Sequence, residues 1–215
     1  MKLCKQDLVL YAVTDRRWLV DRTLYQVVKE ALEGGVTMVQ LREKDLDYDS
    51  FKTEAQKIQS LCADFDVPFI INDNVQLAVE INADGVHVGQ SDMEAGMVRE
   101  LIGPDKILGV SVATPEEAVL AQSQGADYLG AGAVFHTGSK SDAVDVSYET
   151  LKNICGAVNI PVVAIGGITL HNLYELAGSG IAGVAVISAI FASDDIREAA
   201  HKLFCLSQEL FYLND

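Results

Sequence analysis

Eight short runs rich in Val, Ile, Leu and Tyr recur along the chain, with helix-patterned segments between them. They span 8–14, 38–42, 68–72, 85–89, 107–111, 128–132, 162–166 and 184–188, and each ends in polar or glycine residues. Between them, 23–33, 48–63, 115–124 and 194–206 place apolar residues at helical spacing among good helix formers, and a further helix is expected near Tyr148. Thr114-Pro115-Glu116-Glu117 reads as a helix start, with Thr as N-cap, Pro at the first helical position and acids in the first turn. Helix ends at Gly34-Gly35, Gly125 and Gly178-Ser179-Gly180 share a glycine signal that turns the chain into the next strand. A βα alternation repeated this often implies parallel strands. Eight units favour a closed (β/α)8 TIM barrel over an open doubly wound sheet. With 215 residues, 49% of them hydrophobic, and no linker-like stretch, the expectation is one domain over residues 1–215.

Charge narrows the partners. The 16 basic and 31 acidic side chains leave a net charge of −15, which repels nucleic acid and anionic membranes at long range. A small phosphorylated molecule remains compatible, because local cations and a divalent metal can reverse the field inside one cleft. Cys4, Cys62, Cys155 and Cys205 are far apart and form no metal-binding or redox pair. The N-terminus lacks the apolar core of a signal peptide, and no run reaches the roughly 18 residues of a spanning helix. A soluble cytoplasmic protein is expected, and the acidic surface neither requires nor forbids a homo-oligomer.

In a barrel of this kind the active site lies at the C-terminal ends of the strands. The second run continues as Gln40-Leu41-Arg42-Glu43-Lys44, so Gln40, Arg42 and Lys44 share one face of an extended strand. Facing inward they would grip a phosphate, the Arg bidentately and the Lys as a point charge; facing outward they are solvated charges. The third run ends in Asn72-Asp73 and the fourth is followed by Asp92, residues that equally suit helix caps. Two acids at adjacent strand ends beside a phosphate grip match Mg²⁺, which is commonly held by one or two carboxylates together with phosphate oxygens and water. Ser111 at the fifth strand end could donate to a phosphate or satisfy a turn. After the sixth run, Thr137-Gly138-Ser139-Lys140 could close over a phosphate or remain a solvated loop. Gly166-Gly167 and Ile187-Ser188 end the last two runs, where many barrels bind phosphate. His87, in an otherwise apolar strand end, is either a substrate contact or a hydrogen-bonded core residue.

Taken in order, Gln40-Leu-Arg42-Glu-Lys44, Ile71-Asn72-Asp73, Gly85-Val-His87-Val-Gly89-Gln90-Ser-Asp92, Gly109-Val-Ser111, Thr137-Gly-Ser139-Lys140 and Ile165-Gly166-Gly167-Ile168 resemble the thiamine phosphate synthase family over nearly the whole chain. The resemblance implies a transferase that joins 4-amino-2-methyl-5-pyrimidinylmethyl diphosphate to a thiazole phosphate, giving thiamine phosphate and diphosphate. By the same resemblance, Gln40, Arg42, Lys44, Asn72, Ser111 and Lys140 would bind the pyrimidine diphosphate, with Arg42, Lys44, Ser111 and Lys140 assisting the chemistry. Asp73 and Asp92 would hold Mg²⁺. Thr137, Gly138, Ser139, Gly167, Ile187 and Ser188 would hold the thiazole phosphate, and Tyr11 and His87 would reach the pyrimidine pocket. The chain departs from the family pattern at Ala113, where a histidine is frequent, and at His136, where a proline is usual.

Two rivals stand beside this expectation. A thiazole tautomerase relative would bind the thiazole phosphate alone and need not keep Asp73, Asp92, Lys44 and Lys140. A non-catalytic sensor of phosphorylated ligands could use the same fold.

Overall fold

The computed structural model describes residues 3–19, 21–138 and 145–212. Eight parallel strands close into a barrel in chain order: β1 (Leu10–Val13), β2 (Met38–Leu41), β3 (Phe69–Asn72), β4 (Gly85–Val88), β5 (Ile107–Val112), β6 (Tyr128–Gly132), β7 (Val162–Ile165) and β8 (Gly183–Val186). Each strand falls within one of the expected apolar runs or overlaps it closely. Closure comes from β1, which pairs with β2 through Tyr11↔Met38 and with β8 through Tyr11↔Ala185.

The outer layer contains α1 (Leu24–Glu33), α2 (Tyr48–Asp64), α3 (Val75–Glu80), α4 (Ala95–Ile102), α5 (Pro115–Ser123), α6 (Tyr148–Ala157), α7 (Ser188–Phe191) and α8 (Ile196–Phe211). Local signals start these helices where they should. Thr114 Oγ1 accepts the Glu117 N–H at 3.2 Å at the head of α5. Thr23 and Gln26 exchange bonds as a capping box ahead of α1. No helix among the described residues is long and apolar enough to cross a membrane.

Two details differ from the sequence expectation. The last helix runs to Phe211 rather than stopping at Leu206, because Leu210 and Phe211 continue its apolar stripe against the core. The segment before Gly178 is a 3₁₀ turn, Leu173–Leu176, rather than an α-helix. Buried Leu173 and Leu176 stand three residues apart, a spacing that stacks side chains on a three-residue turn.

The strict two-residue period of the strands divides the core into two shells. Leu10, Ala12, Val39, Leu41, Val86, Leu108, Val110 and Leu129 point outward and pack with the helices. Tyr11, Val13, Met38, Ile70, Ile107, Tyr128, Val163 and Ala185 fill the barrel interior. Both shells are nearly water-free, so the polar groups that share the inner face further along the strands are held by a rigid frame.

Candidate active site

At the C-terminal mouth of the barrel the inward-facing positions open into a cavity of about 480 Å³, within the usual range of small-molecule sites. Gln40, Arg42 and Lys44 all line it. The residues between them turn the other way: Leu41 is fully buried against the helices, and Glu43 accepts from Arg16 Nε at 2.7 and 2.8 Å. Arg16 in turn reaches Glu54 of α2 at 3.3 Å. Burial pushes the Glu43 carboxyl up, while the bonds from Arg16 counter it. The alternation therefore assigns one acid to the structural layer and two cations to the cavity. Among the described residues, neither Arg42 nor Lys44 forms an ion pair within 4.0 Å.

Asn72 and Asp73 bring β3 to the same cavity, and Asp92 brings in the loop after β4. Register explains their nearness, since Asn72 pairs with His87 and the Asp73 N–H donates to the His87 carbonyl at 2.8 Å. Asp73 holds a positive φ of 60°, in the left-handed region that Asn and Asp enter more readily than other non-glycine residues. Asp92 is pinned by one oxygen, Oδ2, which accepts the Gly89 N–H at 2.7 Å. No group of three or more His, Cys, Asp or Glu able to hold a metal occurs among the described residues.

Deeper in the cavity, the inner face carries a connected set of polar side chains. Gln40 Nε2 donates to Tyr11 Oη at 2.6 Å, and Tyr11 Oη lies 2.8 Å from Tyr128 Oη. Tyr128 Oη lies 2.9 Å from His87 Nδ1, and His87 Nε2 lies 2.9 Å from Ser111 Oγ. Burial raises both phenols well above the ordinary tyrosine value, so both keep their protons. The Ser111 carbonyl accepts from Gln90 Nε2 at 2.7 Å, which ties β5 to the loop carrying Asp92.

The remaining expected residues divide. Thr137, Gly167, Ile187 and Ser188 line the cavity. Gly138 does not line it; its carbonyl faces Arg17 Nη1 at 3.4 Å. Arg17 is anchored by Asp15 at 2.6 Å; burial pushes the Asp15 carboxyl up, and the Arg17 bonds outweigh this and hold it below its ordinary value. Ser139 and Lys140 lie outside the described residues. The glycine pair is required sterically, since a Cβ on Gly167 would stand 2.5 Å from the His136 carbonyl oxygen at a φ of +65°. Of the two departures from the family pattern, Ala113 lines the cavity and its N–H donates to Glu117 Oε2 at 2.6 Å.

Sequence reasoning missed Tyr128, whose hydroxyl joins two otherwise separate hydrogen-bonded pairs. A signal was present, because its register partner is Gly109, where a Cβ would fall 2.2 Å from Tyr128 Cζ and 2.4 Å from His87 Nδ1. Glycine opposite a large polar side chain inside a barrel marks a space that the side chain must occupy.

Comparison with known proteins identifies the family of the chain. The thiamine-phosphate synthase of Clostridium tetani is 50% identical over 197 residues, covering 92% of this chain and 94% of that protein. The thiamine-phosphate synthase of Ruminiclostridium cellulolyticum is 49% identical over 199 residues, covering 93% and 95%. The solved structure of thiamine phosphate pyrophosphorylase from Pyrococcus furiosus superposes with a TM-score of 0.89 at 40% identity, covering 96% of this chain and 98% of that one. The (S)-3-O-geranylgeranylglyceryl phosphate synthase of Thermoplasma acidophilum, at 15% identity and a TM-score of 0.65 over 94% of each chain, shares the fold alone. With the profile of thiamine monophosphate synthase matching residues 10–190, the chain belongs to the thiamine monophosphate synthase family.

Proposed function

We propose that the cavity joins a pyrimidinylmethyl diphosphate to a thiazole phosphate, releasing diphosphate and forming thiamine phosphate. The observation that carries this reading is the convergence of Gln40, Arg42 and Lys44 with Asp73 and Asp92 on one cavity, while Glu43 is turned into the structural layer. Cations that make no ion pair among the described residues, on one cavity with two acids, suit a bound diphosphate better than a site for a monophosphate alone, which favours the synthase over the tautomerase relative.

The donor set also fits Mg²⁺. Two carboxylates from adjacent strand ends, with no third acid, His or Cys grouped beside them among the described residues, leave coordination positions for phosphate oxygens and water. Asp73 and Asp92 would hold the ion, and Asp92 keeps Oδ1 for it while Oδ2 accepts the Gly89 N–H. When bound, the ion would neutralise charge on the diphosphate.

The chain's own residues account for the rest. Arg42 would clamp phosphate oxygens through paired N–H donors, and Lys44 would add a point charge as the C–O bond breaks and its electron pair leaves with diphosphate. Lys140 would add a third cation from the loop after β6. The 4-aminopyrimidine ring stabilises the resulting benzylic-type cation, whose CH₂ carbon then bonds to the thiazole nitrogen. No protein nucleophile is needed. Val163, Ile165, Ala185 and Ile187 form an apolar wall of the cavity that would exclude water from that cation. Gly167, Ile187 and Ser188, with Thr137, Gly138 and Ser139, would hold the thiazole phosphate.

On this reading residues 1–215 act as one cytoplasmic domain whose partners are small molecules, and the net charge of −15 disfavours polyanions. Mixing both substrates with Mg²⁺ and assaying thiamine phosphate and released diphosphate tests the proposal. Equimolar formation of both is expected; binding without product would replace the proposal with the sensor.

A further inference from the structure

We infer that Tyr128 and His87 are positioning residues that set the direction of the Ser111 hydroxyl, because the hydrogen-bonded series Gln40–Tyr11–Tyr128–His87–Ser111 can run only one way. The inference rests on the proposed role of Ser111 as a diphosphate contact, and it assigns the cause of that role to residues that need not touch the substrate's phosphates.

Proton counting gives the direction. Gln40 Nε2 has protons and no lone pair to offer, so at 2.6 Å it donates and Tyr11 accepts. Tyr11 is 1% exposed and has one proton, which bonds Tyr128 at 2.8 Å. Tyr128, fully buried, then spends its proton on His87 Nδ1 at 2.9 Å. A bare Nδ1 puts the proton of the neutral ring on Nε2, which donates to Ser111 Oγ at 2.9 Å. Ser111 accepts, and its own proton is left for the cavity that it lines.

The alternatives fail by the same count. Run backwards, the series ends with Tyr11 facing two donors, Gln40 and Tyr128, while its own proton lacks an acceptor at either. A doubly protonated His87 would leave Tyr128 facing two donors in the same way. Reversal would also turn Ser111 lone pairs toward an anionic ligand. The packing reserves space for the working order, since a Cβ at Gly109 would collide with both Tyr128 and His87 Nδ1, and one at Gly130 would press on His87 Cε1 at 3.2 Å.

Nitrogen-15 NMR of the full-length protein labelled at histidine, recorded at pH 8, tests the direction without any turnover. Resonances of His87 are identified by their loss in His87→Asn. The expected result is a neutral ring with its proton on Nε2. In Gln40→Glu the new carboxylate accepts from Tyr11 and reverses every bond, so the His87 proton moves to Nδ1. Kinetically, Tyr128→Phe lowers kcat roughly tenfold with the KM for thiazole phosphate unchanged, and adding Ser111→Ala costs little more than Ser111→Ala alone. A wild-type proton on Nδ1, an unchanged tautomer in Gln40→Glu, or losses that multiply in the double variant would each overturn the inference. A wild-type protein that forms no thiamine phosphate would instead overturn the functional proposal, and the tautomer result would still stand.

Discussion

The two ends of the barrel use the same side-chain types for opposite purposes. At the end where the strands begin, charged groups are consumed by the frame. Arg99 donates to the carbonyls of Gly103, Lys106 and Gly125 and pairs with Asp127 at 2.6 Å. Asp127 also accepts the Leu108 N–H at 2.8 Å, and Asp84 accepts the Phe69 N–H at 3.0 Å. At the opposite mouth Arg42 and Lys44 line a cavity with no ion pair among the described residues, and Asp92 commits one carboxylate oxygen. The difference is one of satisfaction: a charge already bonded to backbone holds strands in register, whereas one left facing a cavity is available to a ligand.

The largest expected effect falls on the mouth alone. Chelating Mg²⁺ should reduce product formation to background in the assay while leaving the melting temperature without substrates nearly unchanged. Full activity in chelator would remove the metal from the proposal. Next in size, Asp92→Asn keeps an acceptor for the Gly89 N–H but removes the charge, and should lower kcat on the order of 10²-fold. Steady-state rates equal to wild type would return Asp92 to a loop-capping role. At the other end, Arg99→Ala should cost about 2 kcal/mol in urea unfolding, from three carbonyls and an acid losing a donor, with kcat unchanged at 25 °C. A fall in kcat as large as that of Asp92→Asn would erase the distinction between the two ends. The smallest effect is Thr114→Ala, which removes the α5 cap and should cost about 1 kcal/mol, read as a lower denaturation midpoint.

Much of the site could be read before the structure because a barrel strand has a simple period. Gln40 lies on β2, and Arg42 and Lys44 follow its last residue, Leu41, with the strand's alternation carried on past its end: all three line the cavity while Glu43 turns to Arg16. Asp73 and Asp92 could be placed together because adjacent parallel strands end at one rim. The Tyr11–Tyr128–His87 series could not be read in this way. Tyr11 and Tyr128 lie 117 residues apart and meet at 2.8 Å across the barrel interior, a contact that depends on closure and register together. The direction of the Gly138 carbonyl, which faces Arg17 Nη1, could not be read either, since loop direction depends on partners that strand periodicity does not describe. The helix expected before Gly178 gives way to a 3₁₀ turn for a similar reason: two buried leucines outweigh the repeated glycine signal.

By itself the sequence determined the number of βα units, the parallel sheet and which acids and cations follow the strand ends. These are local properties, set by side-chain alternation, helix caps and turn residues within a few positions of one another. Only the tertiary structure decided which groups face inward and which of them touch, because ring closure and stagger bring strands β1, β2, β4, β5 and β6 to a common axis. There a serine acquires its orientation from a glutamine through two tyrosines and a histidine.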